Sequence, residues 1–205
     1  MQPKISIILP FYNVEPYLRK CMDTLVNQSL RDIEIIAIND CSPDNSLSII
    51  EEYAAKDERI KIINNEKNLK LAGARNAGLD VATGEYVSIL DSDDFIELDF
   101  LEKLYALAVS EDADIVKGVF RELPSGTMVN NNAEVLHSKW NFKWNLWTAI
   151  FRRDLLERHE IRFVIDTICF QTRAVYFANK IAVCDDAIYN YCRRNDSNDS
   201  PTFSF

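Results

Sequence analysis

Three short segments restrict the fold more than anything else in the chain. ISIIL (5–9), EIIAI (34–38) and EYVSIL (85–90) are strand-length and apolar almost without interruption. A strand with one face in water alternates polar and apolar residues, because successive side chains point to opposite faces. Strands that lack this alternation are covered on both faces, as in a parallel sheet held between two layers of helices. The intervening segments supply those helices. Tyr17, Leu18, Met22, Leu25 and Val26 recur at helical spacing over 15–27. Ser42-Pro43 predicts a helix start, with Ser42 as N-cap and the proline in the first turn. A strand is expected at 60–63 and a helix over 71–81, with Gly84 closing that region. Another helix runs from Asp99 to about 110, with Asp99 and Glu102 as a capping box, and a strand follows at 115–120. The expectation is an α/β domain with a mostly parallel central sheet and helices on both faces.

Beyond Val119 the pattern weakens. PSGTMVNNN (124–132) reads as a turn-rich loop. All three tryptophans, Trp140, Trp144 and Trp147, fall in one stretch. Helices are expected over 153–159 and 167–179, and two short strands over 181–183 and 188–191. The polar tail from Asn195 to Phe205 carries no stop signal, so the chain reads as a domain cut short at its C-terminus. A length of 205 residues suits one domain, and 47% hydrophobic residues suffice for a real core. The net charge of -9 argues against general nucleic-acid binding, which needs clustered cations. Five cysteines, an odd number without a CxxC pair, and an opening without a secretory signal predict reduced thiols in a cytoplasm. Cys169, Cys184 and Cys192 read as small buried hydrophobes, and His137 and His159 as too isolated for a zinc site. No apolar run reaches the ~18 residues of a membrane helix.

The polar clusters follow the strands. Pro10-Phe11-Tyr12-Asn13 comes directly after the first, Asn39-Asp40-Cys41-Ser42 after the second, and Asp91-Ser92-Asp93-Asp94 after the fourth. In an open parallel sheet, ligands bind beyond the carboxyl ends of the strands. Three clusters at matching positions on that edge predict a site. Asp91, Asp93 and Asp94 repel one another at neutral pH unless a cation sits among them, and hard oxygen ligands suit Mg²⁺ or Mn²⁺ bridged to substrate phosphates. Arg75 and Asn76 lie in the small-residue helix LAGARNAGLD. Arg75 is placed to pair with the acidic cluster, and the small residues allow close packing.

These stretches together carry a resemblance. ISIILPFYNVEPYLRKCMDTLVNQS, IEIIAINDCSPDNS and ARNAGLDVATGEYVSILDSDD, with WTAIFRRDLLE and ANKIAVCDDAIYNYCRRNDS less closely, resemble family 2 glycosyltransferases of the GT-A fold, of the bacterial, non-processive type. The resemblance covers most of the chain and is densest over the first 100 residues. It implies a nucleotide-sugar-binding half over 1–120 and an acceptor-binding half over 121–205. It implies that Pro10, Tyr12 and Asn13 line the nucleotide pocket, with Glu15 close by. Asp40 would bind the base, typically uracil, and Arg75 would lie beside the nucleotide. Asp91 would face ribose or sugar, Asp93 would bind Mn²⁺ or Mg²⁺, and Asp94 would support the turn. The implied reaction is inverting transfer from a UDP-sugar to a hydroxyl of a saccharide or lipid-linked acceptor, in cell-surface polysaccharide biosynthesis. The implied location is the cytoplasm, with peripheral association at the inner face of the membrane left open.

Three departures accompany the resemblance. Lys70 stands where the family often has glycine. The family's Glu-Asp pair is absent, and Asp166 is the candidate base, with helix N-cap as its other reading. The Gln-x-x-Arg-Trp signature of processive synthases is absent, which favours single additions. The tryptophans either stack on acceptor sugars or fill the core. Two other classes stay in view. A degenerate, non-catalytic sugar-nucleotide-binding module would bind donor without turning it over. A nucleotidyltransferase would need a Gly- and Lys/Arg-rich loop after the first strand, which PFYN does not provide, and a dinucleotide dehydrogenase fails on the same loop.

Overall fold

The computed structural model describes residues 2–130, 145–164 and 167–193. Nine strands form one sheet: β1 (Ile5–Phe11), β2 (Ile33–Asn39), β3 (Ile60–Asn64), β4 (Tyr86–Ile89), β5 (Phe95–Ile96), β6 (Ile115–Leu123), β7 (Thr127–Val129), β8 (Ala149–Arg152) and β9 (Ile181–Cys192). The helices are α1 (Glu15–Val26), α2 (Ser46–Ala54), α3 (Lys70–Val81), α4 (Phe100–Glu111), α5 (Arg153–Arg158) and α6 (Thr167–Phe177). The strand order is β3-β2-β1-β4-β8-β6-β9-β5, with β7 hairpinned onto β6. β3, β2, β1, β4, β6 and β9 point the same way, and β8 and β5 oppose them. This is the mostly parallel α/β sheet expected from the sequence.

Every residue of β1, β2 and β4 is buried. The reason is the two-sided cover. Ile5, Ile7 and Leu9 of β1 face a core with Leu18, Met22 and Leu25 of α1 and Phe100, Leu101 and Leu104 of α4. Ile8 faces the opposite core, with Ala74 and Leu79 of α3, Leu155 and Leu156 of α5 and Phe170 of α6. Close packing of α3 depends on its small residues, as expected: a Cβ on Gly78 would lie 2.6 Å from Cγ2 of Ile8 and 2.9 Å from Cδ1 of Ile38. Glu34 is the charged exception in β2. Burial opposes its ionisation, but Lys61, Ser6 and Thr83 all donate to the carboxylate, and its pKa is held down at about 2.

Several local expectations need correction. Ser42 is not a helix N-cap: α2 starts at Ser46, and Ser42 is held in the preceding loop by Asn39 and Asp44. Asp99 occupies the N-cap position of α4 without a side-chain cap, because its carboxylate pairs with Lys103 while Glu102 accepts from Ser29. The stretch after Pro124 is partly ordered as the β6–β7 hairpin. The two late strands are one strand, β9, continuous across an irregularity where β6 shifts register between Lys117 and Val119. Gly118 is needed there, since a Cβ would stand 2.6 Å from the carbonyl oxygen of Ala187. β8 had no sequence forecast. It inserts antiparallel between β4 and β6, joining the two halves of the sheet.

Candidate active site

The three polar clusters share the carboxyl edge of the sheet, and in-register pairing puts them there. Phe11 pairs with Asn39, Asn39 with Asn64, and Ile8 with Ile89, so β1, β2, β3 and β4 end side by side. Asn13, Cys41 and Lys70 all have positive φ, at 54°, 62° and 62°. Non-glycine residues seldom adopt that backbone, and here it concentrates where the chain turns off the strands. The left-handed backbone at Lys70 is one that glycine adopts without strain. The Lys70 side chain itself is exposed.

The loops are stitched to one another. The Ser42 hydroxyl accepts from the Asn13 N–H at 2.9 Å, and the Asp44 carboxylate accepts from the Glu15 N–H at 2.9 Å. Glu15 in turn accepts from the backbone N–H of Asn45 at 3.1 Å and from its side-chain amide. The starts of α1 and α2 therefore cap each other across the sheet edge, each satisfying orphan N–H groups of the other. Burial opposes ionisation of Asp44, but the donors from Ser42, Ser46 and Glu15 hold its pKa at about 2. Asp40 is 4% exposed, and its Oδ1 accepts from Asn65 Nδ2 and from the Leu69 N–H, both at 2.8 Å. That bond fixes the segment entering α3. Its Oδ2 makes no hydrogen bond among the described residues.

The acidic turn follows β4. The Asp94 N–H donates to the Asp91 carbonyl at 3.2 Å and closes the turn. Arg75, 3% exposed, reaches from α3 and donates through Nη2 to Asp91 Oδ1 at 2.8 Å. The ion pair anticipated from the sequence is thus present. Asp94 is buried and accepts from the Tyr189 hydroxyl at 2.8 Å and the Cys192 N–H at 2.7 Å. Burial first, then the charges of Asp93 and Asp91, push its pKa up to about 8. Asp93 is partly exposed.

The remaining candidates fall as follows. Pro10 is buried at the end of β1, and Tyr12 is 50% exposed at the edge. Trp147 is half-buried against Tyr189 and Tyr191, with centroids at 4.4 and 5.5 Å, so it packs on the core's rim. Asp166, Trp140, Trp144 and His137 lie outside the described residues. His159 stacks on Phe177. Cys184 is buried and Cys192 partly so, as small hydrophobes should be, but Cys169 is exposed because it sits on the outer face of α6.

Four partners that no local signal announced, Phe163, Thr167, Tyr189 and Cys192, complete the arrangement. Arg75 Nη1 donates to Thr167 Oγ1 at 2.9 Å, at the first residue of α6. Asn76 forms a reciprocal pair with the backbone of Phe163, at 2.7 and 2.9 Å. Adjacent residues of α3 thus anchor the chain on both sides of position 166. Tyr189 and Cys192 reach the acidic turn from the last strand. These four contacts span 87 to 98 residues of sequence.

The turn suits a hard divalent cation. Three carboxylates share four residues, and Arg75 pairs with Asp91 alone. Among the described residues no group of three or more His, Cys, Asp or Glu side chains forms a cage. One carboxylate assisted by substrate oxygens and water is how Mg²⁺ and Mn²⁺ are commonly held.

Known proteins agree with this arrangement. The profile described as glycosyl transferase family 2 matches residues 6–177. The uncharacterized glycosyltransferase EpsJ of Bacillus subtilis is 34% identical over 93% of this chain and 61% of its own length. The poly(ribitol-phosphate) beta-glucosyltransferase of Bacillus spizizenii is 33% identical over 94% of this chain and 33% of its own. Among solved structures, S. aureus TarS in complex with UDP-GlcNAc superposes with a TM-score of 0.86 at 27% identity, over 94% of this chain and 59% of that one. The chain spans about three-fifths of the length of EpsJ and of that TarS structure. With the sheet order, the acidic turn after β4 and the family profile in agreement, the chain belongs to glycosyl transferase family 2 and has the GT-A fold.

Proposed function

We propose that this chain is the catalytic domain of a glycosyltransferase that moves a sugar from a UDP-sugar to a hydroxyl of a saccharide or lipid-linked acceptor, with inversion, in polysaccharide biosynthesis at the cytoplasmic face of the membrane. One observation carries the reading: the Asp91–Asp94 turn, tied by Arg75, sits at the carboxyl end of β4 in line with the Asp40 and Asn13 loops. The UDP-GlcNAc complex of TarS supports a uridine nucleotide as donor carrier.

Residues 1–120 hold the donor and residues 121–205 the acceptor. Tyr12 and Asn13 border the nucleotide, Asp40 receives the base, and Asp91, oriented by Arg75, receives ribose or sugar hydroxyls. Asp93 would hold Mn²⁺ or Mg²⁺, which supplies charge neutralisation at the departing diphosphate. Asp166 accepts the acceptor's hydroxyl proton as that oxygen attacks the anomeric carbon, and the bond to UDP breaks with its electron pair leaving on UDP. Pro10 and Glu15 act one step back, as the buried end of β1 and the clasp on α2.

Calorimetry with UDP, with and without Mn²⁺, tests the reading. The wild type is expected to bind UDP more tightly with Mn²⁺, and Asp93→Ala to lose that increment while keeping its melting temperature. An Asp93→Ala protein with the full Mn²⁺ increment removes Asp93 from this role. A non-catalytic module would bind UDP-sugar with Mn²⁺ but never hydrolyse it, and slow hydrolysis by the wild type excludes that alternative.

A further inference from the structure

The Tyr189 hydroxyl stands between the two ends of the acidic turn. It donates to Asp94 Oδ2 at 2.8 Å and accepts from the Asp91 N–H at 3.4 Å. The neighbouring Cys192 N–H takes the other oxygen of Asp94 at 2.7 Å. β9 therefore grips both oxygens of Asp94 and, more loosely, the backbone of Asp91. Asp93 lies between these two held residues, so its carboxylate is aimed by a backbone that β9 fixes at each side.

The tyrosine is itself unable to swing away. It is 1% exposed, with Trp147 over its ring at 4.4 Å and the edge of Phe100 at 6.2 Å. A single hydroxyl on a locked ring, bridging a backbone donor and a carboxylate acceptor, is suited to set geometry rather than to react. Groups that hydrogen-bond to a metal's ligands and orient them commonly change affinity by ~10–100-fold when removed.

We propose that Tyr189 is a positioning residue for the donor site: its hydroxyl, held by the aromatic contacts of β9, sets the Asp91–Asp94 turn in the shape that accepts a divalent cation and a nucleoside diphosphate. This rests on the functional reading above. It adds that the far end of the chain, and not only the nucleotide-binding half, determines donor affinity.

The test uses Tyr189→Phe, which keeps the ring and deletes one oxygen, with uridine, UDP and Mn²⁺ as probes. Wild type and variant are titrated with uridine alone, and with UDP in the presence and absence of Mn²⁺. Uridine affinity is expected to change little, because Asp40 is held by Asn65 and Leu69 and Tyr189 meets Asp91 through its backbone N–H rather than its carboxylate. The Mn²⁺-dependent gain in UDP affinity is expected to fall ~10–100-fold. A Tyr189→Phe protein that keeps both uridine binding and the full Mn²⁺ gain overturns the proposal. A general structural role would instead weaken uridine and UDP together, and that outcome overturns it as well. If Tyr189→Phe does not fold, Asp94→Asn/Tyr189→Phe, which removes the carboxylate left short of a partner, is compared with Asp94→Asn alone. A further ~10-fold loss of the Mn²⁺ gain upholds the positioning role, and no further loss overturns it. A wild type without any Mn²⁺-dependent UDP binding would remove the functional reading itself, whereas a wild type with it and an unaffected variant removes only the role of Tyr189.

Discussion

From Ile5 to Ile89 the chain alternates strand and helix, every residue of β1, β2 and β4 is buried, and each strand lies beside one close to it in sequence order. From Ile115 onward the rules change. β8 slots in antiparallel between β4 and β6, β6 and β9 form a long ribbon with a register shift, and the outer end of β6 is only partly buried. The two halves also contribute differently to the site. The first supplies loops at strand ends, with the polar groups proposed to meet the donor. The second supplies Thr167, Tyr189 and the Cys192 N–H, which hold those groups in place. Arg75 is the exchange point, since one guanidinium bonds Asp91 on the donor side and Thr167 at the start of α6. The difference teaches that the polar groups at the strand ends and the bonds that fix them come from separate parts of the chain.

Substitutions in each half test this division of labour. The largest effect is expected at Asp166, assigned to the acceptor half. Asp166→Asn should slow transfer by at least ~10²-fold, since an amide accepts no proton. Melting temperature and UDP affinity should stay put, because Asn caps a helix as well as Asp. Near-normal turnover would show that the acceptor half supplies its base elsewhere.

Arg75→Met comes next. It removes both bonds and leaves Asp91 beside two other carboxylates. Breaking a buried ion pair costs about 3–5 kcal/mol, and with the Asp91 side chain 28% exposed the expected loss is about 2–3 kcal/mol by urea unfolding. A loss below about 1 kcal/mol would mean the halves are not joined through this residue.

Gly118→Ala should have the smallest effect and stay within the second half. The new methyl meets the Ala187 carbonyl oxygen at 2.6 Å, and such overpacking costs about 1–3 kcal/mol. Melting temperature should fall while uridine affinity is unchanged. Weakened uridine binding in this variant would show that strain in the β6–β9 ribbon spreads to the first half.

The legible parts of this protein share a physical trait. β1, β2 and β4 were visible because burial on both faces demands apolar residues in sequence, and the acidic turn because its three carboxylates are contiguous. α2 begins three residues later than expected because Ser42 and Pro43 resemble a helix start, whereas the serine hydroxyl answers Asn13, a residue of another loop. β8 was not visible at all. AIFR is too short to show a period, and its state is decided by the open edges of β4 and β6.

Contiguous residues carry the fold class, the polar clusters at the carboxyl edge of the sheet and the carboxylates of the turn after β4, because strand burial and loop position are local in sequence. Only the tertiary structure decided how those carboxylates are held. The bonds from Tyr189 and Cys192 to Asp94, from Arg75 to Thr167, and from Asn76 to Phe163 join residues up to 98 positions apart. No local pattern encodes such a bond, since it exists only once the sheet has brought β9 and α6 against the turn. The buried partners are then fixed by the cost of leaving any of them unpaired.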